Sequence, residues 1–102
     1  MVGKMDEERV KLLSSDLLVA GEIYKVVKHE KKPIYFTKLV ERLKDSPKPI
    51  SRGTISRALE RLHDLHIIKT DWVKINKQWV RSIAISGESE DFVKEIYEKF
   101  LK

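Results

Sequence analysis

Ile50-Ser51-Arg52-Gly53-Thr54-Ile55-Ser56-Arg57-Ala58-Leu59-Glu60-Arg61-Leu62 decides how the rest of the chain is read. Ser51 follows a proline-containing stretch that cannot be helical, and its hydroxyl is placed to cap a new helix. From residue 52 to about 66, Ile55, Ala58, Leu59, Leu62 and Leu65 fall on one helical face. The opposite face carries Gly53, Arg57, Glu60, Arg61 and Asp64, with Thr54 and Ser56 beside it. Taken singly, each of these is what a solvated helix face carries. Together, Arg52, Gly53, Thr54, Ser56 and Arg57 occupy the end that a helix in a DNA major groove turns toward base edges, and Gly53 permits close backbone approach.

Toward the N-terminus, Asp45-Ser46-Pro47-Lys48-Pro49 is a turn. Before it, Thr37 is expected to cap a brief helix over 38–43 that buries Leu39, Val40 and Leu43, and Ile34-Tyr35-Phe36 is β-prone. A longer helix is expected from about Asp16, capped by Ser14 or Ser15. Its apolar positions Leu17, Ala20, Ile23, Tyr24 and Val27 continue until Pro33 forbids extension. Residues 5–13 suit a short helix with Asp6, Glu7 and Glu8 at its positive end.

Toward the C-terminus, residues 67–75 and 79–85 are rich in Ile, Val and Trp and flank Asn76-Lys77-Gln78, which predicts an antiparallel hairpin. A loop of even length pairs Trp72 with Arg81, Lys74 with Trp79 and Thr70 with Ile83. A three-residue loop would set Asp71 beside Ile83. The even loop keeps that carboxylate off the apolar face and allows cation–π contacts from Arg81 and Lys74 to the two tryptophans. Ser86 or Gly87 then caps a last helix, with Glu88, Glu90 and Asp91 in its first turn and Lys99 and Lys102 in its last.

Composition bounds what such a chain does. At 102 residues it is one domain with a small core, and 36% charged against 41% hydrophobic residues fits a folded domain. The net charge of +5 is gathered in residues 48–81, where eight basic residues (Lys48, Arg52, Arg57, Arg61, Lys69, Lys74, Lys77, Arg81) face three acidic ones (Glu60, Asp64, Asp71). The helix and hairpin are thus the basic unit, and polyanions are the natural partner. The absence of cysteine excludes disulfides and thiolate chemistry. No apolar run approaches a bilayer span and no leader pattern opens the chain, so a cytoplasmic location is expected. Few amide residues beside abundant Lys, Glu and Ile point to a thermophilic source.

The order helix, short strand, short helix, turn, longer helix and hairpin resembles the winged helix-turn-helix fold of transcriptional regulators. Residues 37–43, the opening stretch from Ile50 to Leu62, and His66-Ile67-Ile68 look like the core of MarR-like and related archaeal regulators. There a small polar cap opens the recognition helix, an Ala-Leu pair packs it, and a Leu then an Ile-Ile pair leads into the wing. Arg81, Ile83 and Ile85 resemble the last wing strand. The turn through Pro47-Lys48-Pro49 is longer than usual for the family.

The resemblance implies an α+β fold, mostly α: a three-helix core with a β-wing, plus extra N- and C-terminal helices. It divides the chain into an N-terminal helical extension (1–15), the winged helix-turn-helix (16–87) and a C-terminal helix (88–102). It implies a sequence-specific regulator of double-stranded DNA. Ser51, Arg52, Gly53, Thr54, Ser56, Arg57 and Arg61 would lie on the recognition helix; Lys48, Lys74, Asn76, Lys77, Gln78 and Arg81 would lie on the backbone or an adjacent minor groove. Arg81 is equally placed to be held on Trp72.

The last helix carries Phe92, Val93, Ile96, Tyr97, Phe100 and Leu101, a stripe wider than one small core covers. With Leu13 and Leu17, the residues Phe92, Ile96, Tyr97 and Phe100 are expected to form a homodimer contact; the alternative is that these terminal helices pack within one chain. His63 and His66 lack the neighbours of a metal site, no nucleophilic triad or phosphate loop is recognisable, and neither enzyme activity nor a cofactor is expected. No effector is identifiable. Two other readings share the fold: a protein-interaction module of a transcription or replication assembly, and an RNA-binding domain using Trp72 and Trp79 for base stacking.

Overall fold

The computed structural model describes residues 12–100, with the side chain of Phe100 outside that description. The helix expected over residues 5–13 therefore lies outside the described residues except for Leu12 and Leu13, which are not helical.

Helix α1 spans Ser14–Tyr24, and neither serine caps it. Leu13 holds the cap position, and the Asp16 carboxylate reaches back to accept its N–H at 2.9 Å. The boundary expected after residue 15 thus falls inside a helix. After Tyr24 the helix widens into a π-turn, Lys25–His29, closed by the Glu30 N–H donating to the Lys25 carbonyl at 3.0 Å. Lys31, at φ 55°, then turns the chain toward Pro33.

Strand β1 is Ile34–Tyr35 and helix α2 is Phe36–Lys44. Thr37 does not cap α2, because Phe36 is already helical and extended Tyr35 precedes it. The helix is tied off by Ser46, whose N–H and Oγ both donate to the Leu43 carbonyl. Residues 45–51 lead to α3, Arg52–Asp64, and here the expected cap is present: Ser51 Oγ accepts the Thr54 N–H. The helix ends sooner than the expected residue 66. His66 takes φ 61°, and the Ile67 N–H donates back to the Leu62 carbonyl at 2.9 Å.

Strands β2 (Ile68–Ile75) and β3 (Gln78–Ile85) pair in the expected register, Trp72 opposite Arg81, Lys74 opposite Trp79 and Thr70 opposite Ile83. The loop is Asn76-Lys77 with both φ values positive, 50° and 68°, the backbone of a type I′ turn that matches strand twist. β1 adds to the far side of β3 through Ile34 opposite Ile83, so the hairpin belongs to a three-stranded sheet, ordered β1-β3-β2. A short 3₁₀ turn, Gly87–Ser89, feeds the last helix α4, Glu90–Phe100.

The core gathers Val19, Ala20 and Ile23 from α1, Leu39 and Leu43 from α2, Ile55, Leu59 and Leu62 from α3, and Ile34, Ile68 and Ile83 from the sheet. Each Val, Leu or Ile among them, fully buried, contributes roughly 1.5–3 kcal/mol. α4 adds Val93 and Ile96, packing against α1. Ile96, expected at a dimer contact, is 4% exposed within the single chain and is a core residue. Leu17, Phe92 and Tyr97 are half-buried around the same core, and Leu13 is 54% exposed.

Two ion-pair clusters fix the helices relative to each other. Asp16, fully buried, accepts from Arg61 Nε at 2.8 Å and Nη2 at 2.7 Å, joining α1 to α3. Arg42 of α2 donates from Nε to Glu22 at 2.7 Å and from both terminal nitrogens to Glu30 at 3.1 and 2.6 Å. Burial works against the Arg42 charge, but the bonds to Glu22 and Glu30 outweigh it and raise its pKa. The same guanidinium holds the Glu30 carboxyl below its ordinary value.

Candidate nucleic-acid interface

At the start of α3 the cap is the base of a polar ladder. Ser51 Oγ lies 2.9 Å from Thr54 Oγ1, and Arg57 Nη2 donates to Thr54 Oγ1 at 3.4 Å. Three-residue steps stack these groups along one helix edge. Arg52 is placed differently: its guanidinium sits 4.8 Å from the centre of the Phe36 ring, against α2. Ser56 is half-buried, and no carboxylate occurs on α3 before Glu60.

Gly53 is exposed, and a Cβ placed there meets only Arg57 Nη1 at 3.6 Å, an ordinary contact. Packing within the chain therefore does not require glycine at this position. Arg61, expected on the same DNA-facing surface, is turned to Asp16, and that hydrogen-bonded pairing raises its pKa above the usual arginine value. The sequence carried a signal for this pairing only as an acid near the start of one helix and a base on another, 45 positions away.

Lys48 is exposed in the loop before α3. At the hairpin tip Asn76, Lys77 and Gln78 are all exposed. Lys74 Nζ lies 5.9 Å from the Trp79 ring, as expected, whereas Arg81 reaches across the strands to Thr70 Oγ1 at 3.5 Å instead of resting on Trp72. The start of α3 and the hairpin tip belong to different elements of a molecule extending 45 × 28 × 26 Å. Trp72 and Trp79 lie open on the hairpin.

An open groove of about 660 Å³ beside Lys48 is lined by Leu18, Glu22, Lys25, Arg42 and Pro47. Among the described residues no group of three His, Asp or Glu is arranged to hold a metal ion, and no helix is long and apolar enough to cross a membrane.

No family model matches the chain, and no curated protein matches it. Solved structures do. A PadR-like transcription factor from Bacteroides fragilis superposes with a TM-score of 0.63 at 20% identity, covering 84% of this chain and 82% of that one. A PadR family regulator from Clostridium difficile R20291 gives 0.66 at 17% identity, over 80% and 85%. A third, from Eggerthella lenta DSM 2243, gives 0.57 at 20% identity, over 81% and 75%. The chain has the winged-helix α+β fold of these structures, with the β2–β3 hairpin as the wing.

Proposed function

We propose that the protein is a sequence-specific regulator of transcription that binds double-stranded DNA through α3 and the wing. The observation that carries this is the start of α3: Ser51, Thr54 and Arg57 are joined into one exposed ladder, Gly53 is free of internal packing demands, and no acid interrupts them. Arg57 and Arg52 supply guanidinium forks for guanine edges or phosphates, and Thr54 and Ser56 supply hydroxyls. Lys48 approaches the backbone. Lys74, Asn76, Lys77 and Gln78 place the wing on flanking phosphates or a minor groove, with Arg81 nearer its base. Arg61 is left out of this set, because Asp16 already engages it.

The protein acts in the cytoplasm as a homodimer whose recognition helices reach half-sites about one turn, roughly 34 Å, apart. Leu13, Leu17, Phe92, Tyr97 and Phe100 form the contact, with Ile96 beneath it. The likeness to PadR-like structures supports this reading at the level of fold.

The test is fluorescence anisotropy with random-sequence duplex over a salt series, followed by selection of a preferred site. Log affinity should fall steeply with log salt. Arg57→Ala should weaken the selected site far more than random duplex, and Lys77→Ala should weaken both alike. Salt-insensitive or absent binding refutes the reading and leaves the winged-helix protein-interaction module.

A further inference from the structure

Trp72 and Trp79 are the only two tryptophans in the chain, and 62% and 64% of their surface is open to solvent. Strand register puts both on one face of the wing: Trp72 is opposite Arg81, and Trp79 is opposite Lys74. The indoles are therefore diagonal neighbours, with backbones about 7–8 Å apart and a cation across from each. Nearer the helices the same face buries Ile68 and Ile83 in the core. β1 stops pairing at Tyr35 opposite Ser82, so this distal part of the hairpin projects past the sheet's third strand.

Charge on this face has one sign. Asp71 is the only acid between residues 68 and 85, and its pairing with Ser82 sets it on the opposite face. There its Oδ1 accepts the Trp72 N–H at 2.9 Å, occupying the backbone edge and leaving the indole free. Lys74 flanks Trp79, and Lys77 stands at the turn.

Two exposed aromatic planes alternating with cations, and no carboxylate among them, are the chemistry that holds unpaired bases by stacking and their phosphates by charge. A duplex keeps its base faces inside its own stack and cannot offer them. We propose that this face of the wing binds single-stranded DNA, with unpaired bases stacked on Trp72 and Trp79 and Lys74, Lys77 and Arg81 on the phosphates. Lys74, Lys77 and Arg81 are shared with the duplex contacts proposed above, whereas Trp72 and Trp79 are not, so the two readings are told apart at the tryptophans and at Arg57.

With no other tryptophan in the chain, tryptophan emission, excited at wavelengths the three tyrosines do not absorb, reports on this face. The full chain is titrated with oligothymidylate of about a dozen nucleotides, within the range such platforms cover. Saturable quenching is expected. Trp72→Ala and Trp79→Ala should each weaken binding roughly fivefold or more, measured by anisotropy of labelled oligonucleotide, and the Phe replacements should retain more affinity than the Ala ones. Arg57→Ala should leave the quenching unchanged even as it weakens duplex binding. Both tryptophans are exposed, so the variants should keep their fold, verified by circular dichroism. Absent quenching, or Ala variants that bind the strand as well as the native chain, overturns the proposal. So does tighter binding of oligouridylate, which assigns the face to RNA. A concentration-dependent emission change without oligonucleotide, lost in the variants, assigns it to a second copy and overturns the proposal equally.

Discussion

Replacing Arg61 by alanine removes the partner of a carboxylate that has no access to water. Asp16 is fully buried and accepts from Arg61 Nε and Nη2; after Arg61→Ala its remaining donor is the Leu13 N–H. Stripping one member from a buried pair costs about 3–5 kcal/mol. The Arg61 side chain is itself 36% exposed, so water enters where the guanidinium was and the lower end applies, about 3 kcal/mol. For a domain of this size each kcal/mol moves the melting temperature by about 4–8 °C, so a drop of roughly 12–24 °C is expected. Asp16→Ala is expected to cost less, about 1–2 kcal/mol, because Arg61 turns to solvent and chiefly the helix cap is lost. Urea unfolding of both single variants and the double variant closes the cycle. The double variant should be more stable than the sum of the single losses predicts, by more than about 1 kcal/mol. Duplex affinity of Arg61→Ala should fall only as far as its folded fraction falls. A melting temperature within a degree or two of the native chain, or strictly additive losses, refutes the buried-pair reasoning.

Gly53→Ala should leave the free protein as stable as before or stabilise it by about 0.5–1 kcal/mol, since the added methyl meets only Arg57 at ordinary contact distance. Duplex binding should nonetheless weaken, and binding at native strength, measured by anisotropy, would remove close backbone approach from the account. Lys77 holds φ 68°, a left-handed conformation that costs a non-glycine residue about 1–2 kcal/mol, so Lys77→Gly should raise the unfolding midpoint. The same change should reduce the slope of log affinity against log salt by about one. Glu30 titrates below its ordinary 4.5 because Arg42 donates to it. Its contribution is therefore complete well above pH 4.5 and is lost as pH falls through the lowered value. The stability gap between the native chain and Glu30→Gln, from urea midpoints, should be open at neutral pH and close in acid; a gap that widens in acid contradicts that assignment.

Local signals carried much of the architecture. Helical spacing in α3, the Ser51 cap and the hairpin register are set within a few residues of one another, by side-chain period and by turn chemistry, and each is legible in the amino-acid sequence itself. The helix starts were harder. Ser14, Ser15 and Thr37 are all competent caps, but α1 is capped at Leu13, the residue whose N–H Asp16 can reach, and Asp16 is held in place by Arg61. The π-turn at Lys25–His29 has no local mark in the sequence; it brings Glu30 to Arg42 and His29 to 4.7 Å from the Tyr97 ring.

The candidate site divides the same way. That a basic helix and hairpin carry the whole net charge follows from sequence, because charge and its position along the chain need no coordinates. Which of those cations remain available was decided by tertiary structure: Arg61 is taken by a buried acid from another helix, whereas Arg52, stacked on Phe36 yet still exposed, and Arg57, on the exposed ladder, keep N–H groups open. The hydrophobic stripe of α4 was equally visible, yet only packing against α1 determined that Val93 and Ile96 belong to the chain's own core. Sequence alone also paired Trp72 with Arg81 and Trp79 with Lys74, but not their exposure. Register is a property of neighbouring strands, whereas exposure depends on where the rest of the chain ends, and here the sheet's third strand stops before the wing does.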